Sequence, residues 1–386
     1  MKRSSERILT THQGALPRPA GLRELVTARN QEQAYDEAAL AAAVPRAVAE
    51  VVQQQLDCGV DIPNDGELSK PGFSEYVRER ITGFEVREFQ PGEGPPVRTI
   101  SARDRKEFGD YFAALGGRAQ IGFRQRHVFC TGPLQYVGQA AVQADIATFK
   151  AALAGKQVAE AFLPAVAPGT IEHWLANEYY PSDEAYLFAI ADAMHEEYKA
   201  IADAGFVLQI DDPDLPDAWQ IHDQMSVAEY RKFAELRVDA LNHALRDVPE
   251  DRVRLHVCWG SYHGPHKYDI PLRDIVDLVL KVRAQGYSVE ASNPRHEHEW
   301  NVWEDVKLPE GKILIPGVVG HASDFIEHPE LVAERLVRYA RLVGRENVIA
   351  GTDCGLGPRV GHPSIVWAKL EALAEGARLA SQQLWS

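Results

Sequence analysis

Three short segments of the sequence carry side chains that can bind a metal ion. His256-Val257-Cys258 places an imidazole and a thiol two residues apart, and on a β-strand such residues point to the same side. Cys354 follows another strand-like run, and Glu290 lies between the two segments in the chain. An isolated His-x-Cys pair is usually chance, but four such side chains at strand ends are hard to attribute to core packing. We predict a metal site of His256, Cys258, Glu290 and Cys354, with zinc favoured by thiolate and imidazole ligands.

The charges of this ligand set indicate which chemistry it would support. Two thiolates and one carboxylate around Zn²⁺ leave a net negative charge, so the site would activate water less well than three neutral histidines would. An incoming thiol could instead replace Glu290, the weakest ligand, and lose its proton. The expected reaction is alkylation of a thiolate held by zinc.

Further polar residues follow other strand candidates. Glu67 and Asp211 are either ordinary carboxylates at the mouth of the fold or groups that hold a cationic part of the substrate, such as an amine. His12 could orient the substrate or donate a proton, although lone histidines are more often structural. We interpret the charged run at residues 295–299 as a solvated loop, and Cys58 and Cys130 as packing residues.

The elements that must position these residues alternate between strand-like and helical patterns. This alternation indicates an α/β protein with a parallel sheet, either an open doubly wound sheet or a (β/α)₈ TIM-type barrel. No GxGxxG motif follows the first strand candidate, so the barrel is favoured. The carboxyl ends of barrel strands converge on one face, where active sites are built. Nine strand candidates are one more than a barrel needs, so one must be wrong or peripheral. They end at residues 9–14, 60–67, 128–133, 162–169, 207–213, 255–260, 287–293, 313–319 and 348–355.

Residues 1–386 are expected to form a single zinc-binding barrel domain. One segment interrupts the alternation, because residues 85–107 are rich in proline, glycine and charge. We expect an inserted loop there, near the active-site face. Among the helices, Ser182 is a predicted N-cap. The apolar face of a second amphipathic helix is expected to contain Leu331, Leu336, Tyr339 and Val343, and this helix is expected to end at Gly344.

Composition excludes several classes of function. The formal charge is −15, which opposes nucleic acid as a partner, and no apolar stretch is long enough for a membrane helix. Four widely spaced cysteines do not form a disulfide framework, and no signal peptide is recognisable. We therefore expect a cytoplasmic protein that acts on small molecules and that can form a homo-oligomer.

The metal-binding segments also carry a resemblance. In order along the chain, the motifs resemble the zinc-binding C-terminal barrel of cobalamin-independent methionine synthase; they are DGE (65–67), TGP (131–133), QIDDP (209–213), HVC (256–258), VEAS (289–292) and TDCGLG (352–357). The resemblance spans most of the chain. It implies a (β/α)₈ barrel with zinc on His256, Cys258, Glu290 and Cys354. It also implies that the amine of an acceptor amino acid lies near Glu67 and Asp211.

Three departures leave the alkyl donor and the thiol open. The chain has room for one barrel rather than two, Ala15 stands where the family has a serine that helps bind homocysteine, and no tryptophan follows TGP to stack on methylfolate. The single-barrel epoxyalkane:coenzyme M transferases are also similar. The leading hypothesis is zinc-dependent methyl transfer to a small thiol acceptor from an alkyl donor. Epoxide opening by a zinc thiolate, a zinc hydrolase and a structural zinc are the alternatives.

Overall fold

The computed structural model of the chain describes residues 1–89, 100–115, 126–260, 262, 264–357 and 359–386. The strands are β1 (Leu9–Thr10), β2 (Phe84–Glu88), β3 (Arg126–Cys130), β4 (Phe162–Val166), β5 (Leu175–Asn177), β6 (Val207–Asp211), β7 (Val253–His256), β8 (Gly286–Glu290), β9 (Ile313–Val319) and β10 (Ile349–Thr352). The α-helices are α1 (Ala20–Asn30), α2 (Glu37–Asp57), α3 (Ala102–Glu107), α4 (Gly109–Leu115), α5 (Gln139–Leu153), α6 (Pro168–Trp174), α7 (Asp183–Asp203), α8 (Asp214–Ile221), α9 (Val227–Ala244), α10 (Val276–Lys281), α11 (Val302–Asp305), α12 (Pro329–Val343) and α13 (Pro363–Leu384). Short 3₁₀-helices lie at Glu75–Glu79, Glu250–Arg252, Leu272–Asp274, Glu297–Asn301 and Arg345–Asn347.

The main sheet is parallel and has the strand order β1-β10-β9-β8-β7-β6-β4. Every residue of β4, β6, β7, β8, β9 and β10 is buried. Strands buried on both faces are expected where helices cover the outside and side chains fill the inside. The apolar runs seen in the sequence are therefore the parallel strands of a barrel.

Residues 60–63 close the sheet between its two edge strands. Thr11 forms a parallel bridge with Ile62, and the backbone N–H of Phe162 donates to the carbonyl of Pro63 at 3.1 Å. This segment therefore occupies the eighth position, between β1 and β4. The predicted (β/α)₈ TIM-type barrel is confirmed, and the open doubly wound sheet is excluded.

One of the nine strand candidates is peripheral, as expected because a (β/α)₈ barrel needs only eight strands. Residues 128–133 belong to β3 and the turn after it, and β3 lies in a separate three-stranded sheet of order β2-β3-β5. In that sheet β2 is antiparallel to β3, and β5 is parallel to it. The prediction for 128–133 named the right element type without its place in the fold.

The predicted loop at 85–107 begins and ends in regular structure. Residues 85–88 belong to β2 and residues 102–107 form α3, whereas residues 90–99 lie outside the described residues. Ile100 lines the cavity described below, which puts this end of the segment beside the face where the strands end.

The predicted helix boundaries are confirmed at both signals. The Ser182 hydroxyl accepts a hydrogen bond from the Ala185 N–H at 3.1 Å and starts α7, and α12 ends at Gly344, whose φ is +92°. The expectation that Leu331 lies on the apolar face of α12 is wrong, because its side chain is exposed. Within the described residues, no helix combines the length and apolarity needed to cross a bilayer.

The barrel interior contains a buried cation below the strand ends. The Arg254 guanidinium donates to Gln209 Oε1 at 2.8 Å, Thr11 Oγ1 at 2.9 Å and the His12 carbonyl at 2.8 Å, and it stacks over the Phe162 ring. These bonds link β7 to β6 and to the chain after β1 across the barrel. They fix the strand register from which the functional side chains project.

Candidate metal centre

Three predicted ligands lie together at the carboxyl ends of two strands. His256 is the last residue of β7, Cys258 follows two residues later, and Cys354 comes two residues after the end of β10. One imidazole nitrogen and the two sulfur atoms all lie within 4.8 Å of one another. Distances of this size can be spanned by a single ion that binds all three atoms.

The His256 imidazole is oriented by the neighbouring strand. Its Nδ1 lies 3.2 Å from Ser288 Oγ on β8, and that hydroxyl accepts a hydrogen bond from Gln13 Nε2 at 2.6 Å. We assign the proton to Nδ1, because the hydroxyl can accept it. His256 Nε2 is buried and has no hydrogen-bond partner among the described residues. A lone pair buried beside two thiols, on a ring held from its other nitrogen, is the arrangement of a metal-binding histidine.

The two thiols differ in acidity because they lie side by side. The Cys258 thiol and the His256 imidazole lower the pKa of Cys354 well below its usual value. The Cys354 sulfur and burial in turn raise the pKa of Cys258 well above that value. Such a pair retains one proton until a cation compensates the second negative charge, so these residues fit a metal that prefers thiolate and imidazole ligands.

Glu290 lies beside this group rather than within it. Its Oε1 accepts a hydrogen bond from the Trp259 N–H at 2.9 Å, and its Oε2 accepts one from Asn293 Nδ2 at 2.8 Å. Asp353 joins the same region, because its Oδ1 accepts from the N–H groups of Ala291 and Ser292 at 2.8 and 3.0 Å. The Asp353 carboxyl thus ties the end of β10, which carries Cys354, to the end of β8, which carries Glu290.

The three ligands open into a cavity of about 490 Å³ at the carboxyl end of the barrel. Glu67 and Asp211 line the same cavity, as predicted from their places after strand ends. Burial raises the pKa of Glu67 to about 8 and that of Asp211 to about 6. Glu67 also has a φ of +55°, a left-handed conformation that costs a residue with a side chain about 1 kcal/mol or more. Strain and desolvation at one carboxyl group are typical of a functional site.

The structure does not bring His12 to the cavity. Its Nε2 lies 2.8 Å from Gln55 Oε1, and its ring packs edge-on against Phe162 inside the barrel. Burial lowers the pKa of His12 to about 4, so the imidazole is neutral at neutral pH. Its surroundings are those of a buried structural histidine.

Several residues of the site were not found by sequence reasoning. Asp214 and Asp217 of α8 line the cavity, and burial raises the pKa of Asp217 well above its usual range. His321, two residues after β9, is buried with neither ring nitrogen hydrogen-bonded among the described residues, and its charge helps to lower the pKa of Cys354. Their positions in the sequence could have indicated them, because Asp214 and His321 each follow the end of a strand, as the predicted ligands do.

The interpretation of residues 295–299 as a solvated loop is wrong for His296 and Glu299, which are buried, whereas Arg295 and His298 are exposed. His296 is buried, its ring stacks on Trp259, and its two nitrogens bond Asp269 at 3.1 Å and Glu299 at 2.9 Å. Burial lowers the pKa of His296, but these two carboxylates outweigh burial and raise it to about 10. The segment packs behind Trp259, whose N–H holds Glu290.

Comparison with known proteins identifies the family. The sequence model described as cobalamin-independent synthase, catalytic domain, matches residues 130–378, which is more than half of the chain. The chain belongs to this family. The resemblance read from the sequence motifs is therefore confirmed, and the members compared below match nearly the whole chain.

Methionine synthases of archaea are among the curated relatives. The chain is 27% identical over 380 residues to that of Sulfolobus acidocaldarius, covering 97% of this chain and 93% of the relative. It is 24% identical over 372 residues to that of Thermococcus kodakarensis, covering 96% and 93%.

Solved structures share the fold at lower identity. A B12-independent methionine synthase from Shewanella sp. W3-18-1, in complex with selenomethionine, has a TM-score of 0.74 at 20% identity, with 98% of this chain and 99% of that chain covered. A putative vitamin-B12 independent methionine synthase from Listeria monocytogenes has a TM-score of 0.66 at 17% identity, with the same coverage.

Proposed function

We propose that this protein is a zinc-dependent enzyme that transfers a methyl or other alkyl group to the thiol of a small acceptor. His256, Cys258 and Cys354 would hold the zinc, and Glu290 would be the exchangeable fourth ligand. Family membership and the curated methionine synthases support methyl transfer, with homocysteine as the first acceptor to test. The observation that carries the proposal is the meeting of an imidazole and two thiols in a cavity that also contains Glu67 and Asp211.

The bound zinc ion would supply the charge that keeps an acceptor thiol deprotonated at neutral pH. The chain's own residues set the rest of the chemistry. Cys258 and Cys354 contribute negative charge, which favours an electron-rich sulfur over activation of water. Glu290 would be the ligand that exchanges, because its carboxylate has hydrogen-bond donors in Trp259 and Asn293 at the edge of the group when it is not a metal ligand.

Glu67 and Asp211 would orient the acceptor through its amine. Burial keeps the pKa of both carboxyl groups high in the absence of a cation. An ammonium placed between them restores the ionised forms by ion pairing, so acceptors that carry an amine are favoured over neutral thiols. The proposal uses no catalytic group at His12.

Proton release on thiol binding tests this proposal without knowledge of the alkyl donor. Zinc-loaded protein mixed with homocysteine in weak buffer near pH 7.5 is expected to release between one and two protons per site. About one comes from the thiol, which has a pKa of about 8.5 when free and is bound as its anion. The remainder comes from Glu67, whose pKa of about 8 falls beside the ammonium. The Cys354→Ser variant is the control and should release far less. Homocysteine that binds without release of a proton would contradict the proposal.

The alternatives fit the cavity less well. Epoxide opening by a coenzyme M thiolate would leave Glu67 and Asp211 without an amine to bind, because coenzyme M carries none. A hydrolase works best with a strong Lewis acid, and a metal with two cysteine ligands is a weaker one than a metal with three neutral histidines. Hydrolysis that needs no thiol and depends on Glu67 or Asp211 would revive the second alternative.

A further inference from the structure

One cation of the cavity has no bonding partner. Arg359 follows Cys354 by five residues, on the loop after β10, and lines the same cavity as His256 and Cys258. Its Nε is buried without a hydrogen-bond partner, and within the described part of the chain its guanidinium makes no hydrogen bond or ion pair. Burial lowers the pKa of Arg359, and the sulfur atoms of Cys354 and Cys258 oppose this shift through space without accepting a hydrogen bond. A half-buried guanidinium with no hydrogen-bond acceptor is typical of a ligand-binding cation.

The other cations that line the cavity are accounted for. Arg18 donates to the carbonyls of Leu68 at 3.2 Å and Glu67 at 3.0 Å, and also to that of Lys70, which fixes the turn that carries Glu67. Arg23 is exposed at the cavity mouth. Among the described lining residues, Arg359 is therefore the partly buried cation whose donors are available to a bound molecule.

The loop of Arg359 packs against the turn in which Ala15 replaces the family's serine. The Gly357 N–H donates to the Ala15 carbonyl at 2.9 Å, and a Cβ on Gly355 would lie 2.9 Å from the Ala15 nitrogen. Arg359 therefore belongs to the wall of the cavity where a hydroxyl group is missing. A guanidinium on this wall can supply the donors that Ala15 lacks.

The charges that line the cavity are complementary to those of a zwitterion, which carries an ammonium and a carboxylate. Glu67 and Asp211 offer negative charge to an ammonium, and Arg359 offers a planar pair of N–H donors that matches a carboxylate. We propose that Arg359 binds the anionic group of the thiol acceptor, a carboxylate or a sulfonate, while Glu67 and Asp211 face its amine. This assignment rests on the proposed function, and it makes Arg359 a determinant of acceptor specificity.

Binding of four thiols distinguishes the role of Glu67 and Asp211 from that of Arg359. Homocysteine carries both charged groups, 4-mercaptobutanoate lacks the amine, 3-aminopropane-1-thiol lacks the carboxylate, and 2-mercaptoethanesulfonate offers a sulfonate instead. Dissociation constants are measured by calorimetry on the full-length, zinc-loaded chain. The variants are Arg359→Gln, the conservative Arg359→Lys, Glu67→Gln, and Arg46→Gln on the exposed side of α2 as a control for the general effect of losing one positive charge.

Arg359→Gln is expected to weaken binding of homocysteine and 4-mercaptobutanoate by about tenfold or more, because a charge-assisted bidentate bond is lost. Binding of 3-aminopropane-1-thiol should change less than twofold. Arg359→Lys should recover part of the loss, and Arg46→Gln should leave all four constants nearly unchanged. Glu67→Gln should show the opposite selectivity, with loss confined to the amine-bearing thiols. The tighter of 4-mercaptobutanoate and 2-mercaptoethanesulfonate in the wild type identifies the preferred anion.

Equal weakening of every thiol by Arg359→Gln, or no change in any, would overturn the assignment while leaving thiol binding intact. Wild-type protein that binds none of the four thiols would instead remove the proposed function, and the Arg359 assignment with it. Circular dichroism of each variant guards against loss of the fold.

Discussion

Glu67 combines a buried carboxyl group with a strained backbone. Its side chain is 3% exposed and its φ is +55°, whereas Gly66 before it, at φ +70°, carries no side chain. Neither feature stabilises the fold, because burial disfavours the ionised carboxylate and the left-handed conformation disfavours the side chain. Both are expected if selection has kept the carboxylate for ligand binding at the expense of stability.

Glu67→Gln should therefore stabilise the protein, increasingly so at higher pH. The pKa of Glu67 is about 8 in the folded chain and about 4.5 in the unfolded chain, so the unfolded state binds fewer protons between these values. The wild type loses stability as pH rises through this window, and the variant lacks that loss. The expected advantage is near zero at pH 4.5 and on the order of 2–4 kcal/mol at pH 8. Urea denaturation at both pH values measures it, and an advantage that is the same at both would contradict the account.

Ser288→Ala should weaken metal binding without touching a ligand. Ser288 Oγ lies 3.2 Å from His256 Nδ1, and a partner at this nitrogen fixes the ring and its tautomer. We expect about 10–100-fold lower zinc affinity, measured by competition with a chelator. Ser182→Ala is the control, since loss of the α7 N-cap should cost about 1 kcal/mol of stability and leave zinc affinity unchanged. Equal affinity in Ser288→Ala and wild type would remove the role of Ser288.

Some residues of the site could be predicted from the sequence for a definite reason. Carboxyl ends of parallel strands meet on one face, so Glu67, Asp211, His256, Cys258 and Cys354 were expected together and share one cavity. His12 also follows a strand, yet its ring turns into the barrel towards Gln55. Successive strand residues face opposite sides, and the sequence does not say which side the residue after a strand takes. Arg359 was not predicted, because the sequence does not show which guanidinium lacks a hydrogen-bond partner in the folded chain.

The strands that carry the ligands approach each other closely because of a glycine. A Cβ added to Gly317 of β9 would lie 2.5 Å from Asp353 Cα, one residue before Cys354. Gly317 also pairs with Glu290 of β8 and Gly351 of β10. The spacing between both ligand-bearing strand ends thus depends on this one position lacking a side chain.

Gly317→Ala is expected to displace the end of β10. The added methyl group meets backbone atoms that cannot rotate away, so stability should fall by about 1–3 kcal/mol and zinc affinity should fall with it. Gly21→Ala in α1 is the matched control, because nothing lies within 4 Å of its added Cβ. Denaturation and chelator competition measure the two effects. Unchanged zinc affinity in Gly317→Ala would show that the metal site tolerates movement of this strand.

For the secondary-structure elements, the hydrophobic pattern predicted whether a segment is a strand or a helix better than it predicted the position of that segment in the fold. The apolar run at 128–133 was correctly identified as a strand, but an apolar run does not say which sheet it joins. Residues 60–63 close the barrel through few hydrogen bonds, although the run Val60-Asp61-Ile62 reads like any other strand. The short strands β2 and β5 were not predicted, because a partly exposed strand of three to five residues has no distinctive period.

For the whole molecule, zinc is expected to act on a barrel that is already folded. The predicted ligands lie at the ends of strands whose hydrogen bonds and buried side chains do not involve the metal. Removal of zinc by a chelator should leave the far-UV circular dichroism unchanged and lower the denaturation midpoint. The midpoint falls because a ligand whose free concentration is 100 times its dissociation constant adds about 2.7 kcal/mol to the free energy of unfolding. Unfolding on chelation would favour the structural zinc that the sequence left open.

Three expectations about the whole chain stay predictions. They are the single domain over residues 1–386, the cytoplasmic location and the possible homo-oligomer. The (β/α)₈ barrel and the family are established. The alternation of strand-like and helical patterns predicted the barrel, and the order of motifs along the chain predicted the family, whereas composition predicted neither.

Zinc K-edge X-ray absorption of the zinc-loaded protein tests the central claim most directly. The spectrum is recorded alone, with homocysteine and with coenzyme M in turn. We predict two sulfur neighbours at rest, from Cys258 and Cys354, and a third when homocysteine is added. A zinc shell that keeps two sulfurs in the presence of both thiols, or that contains no cysteine sulfur, would contradict thiol activation at this site.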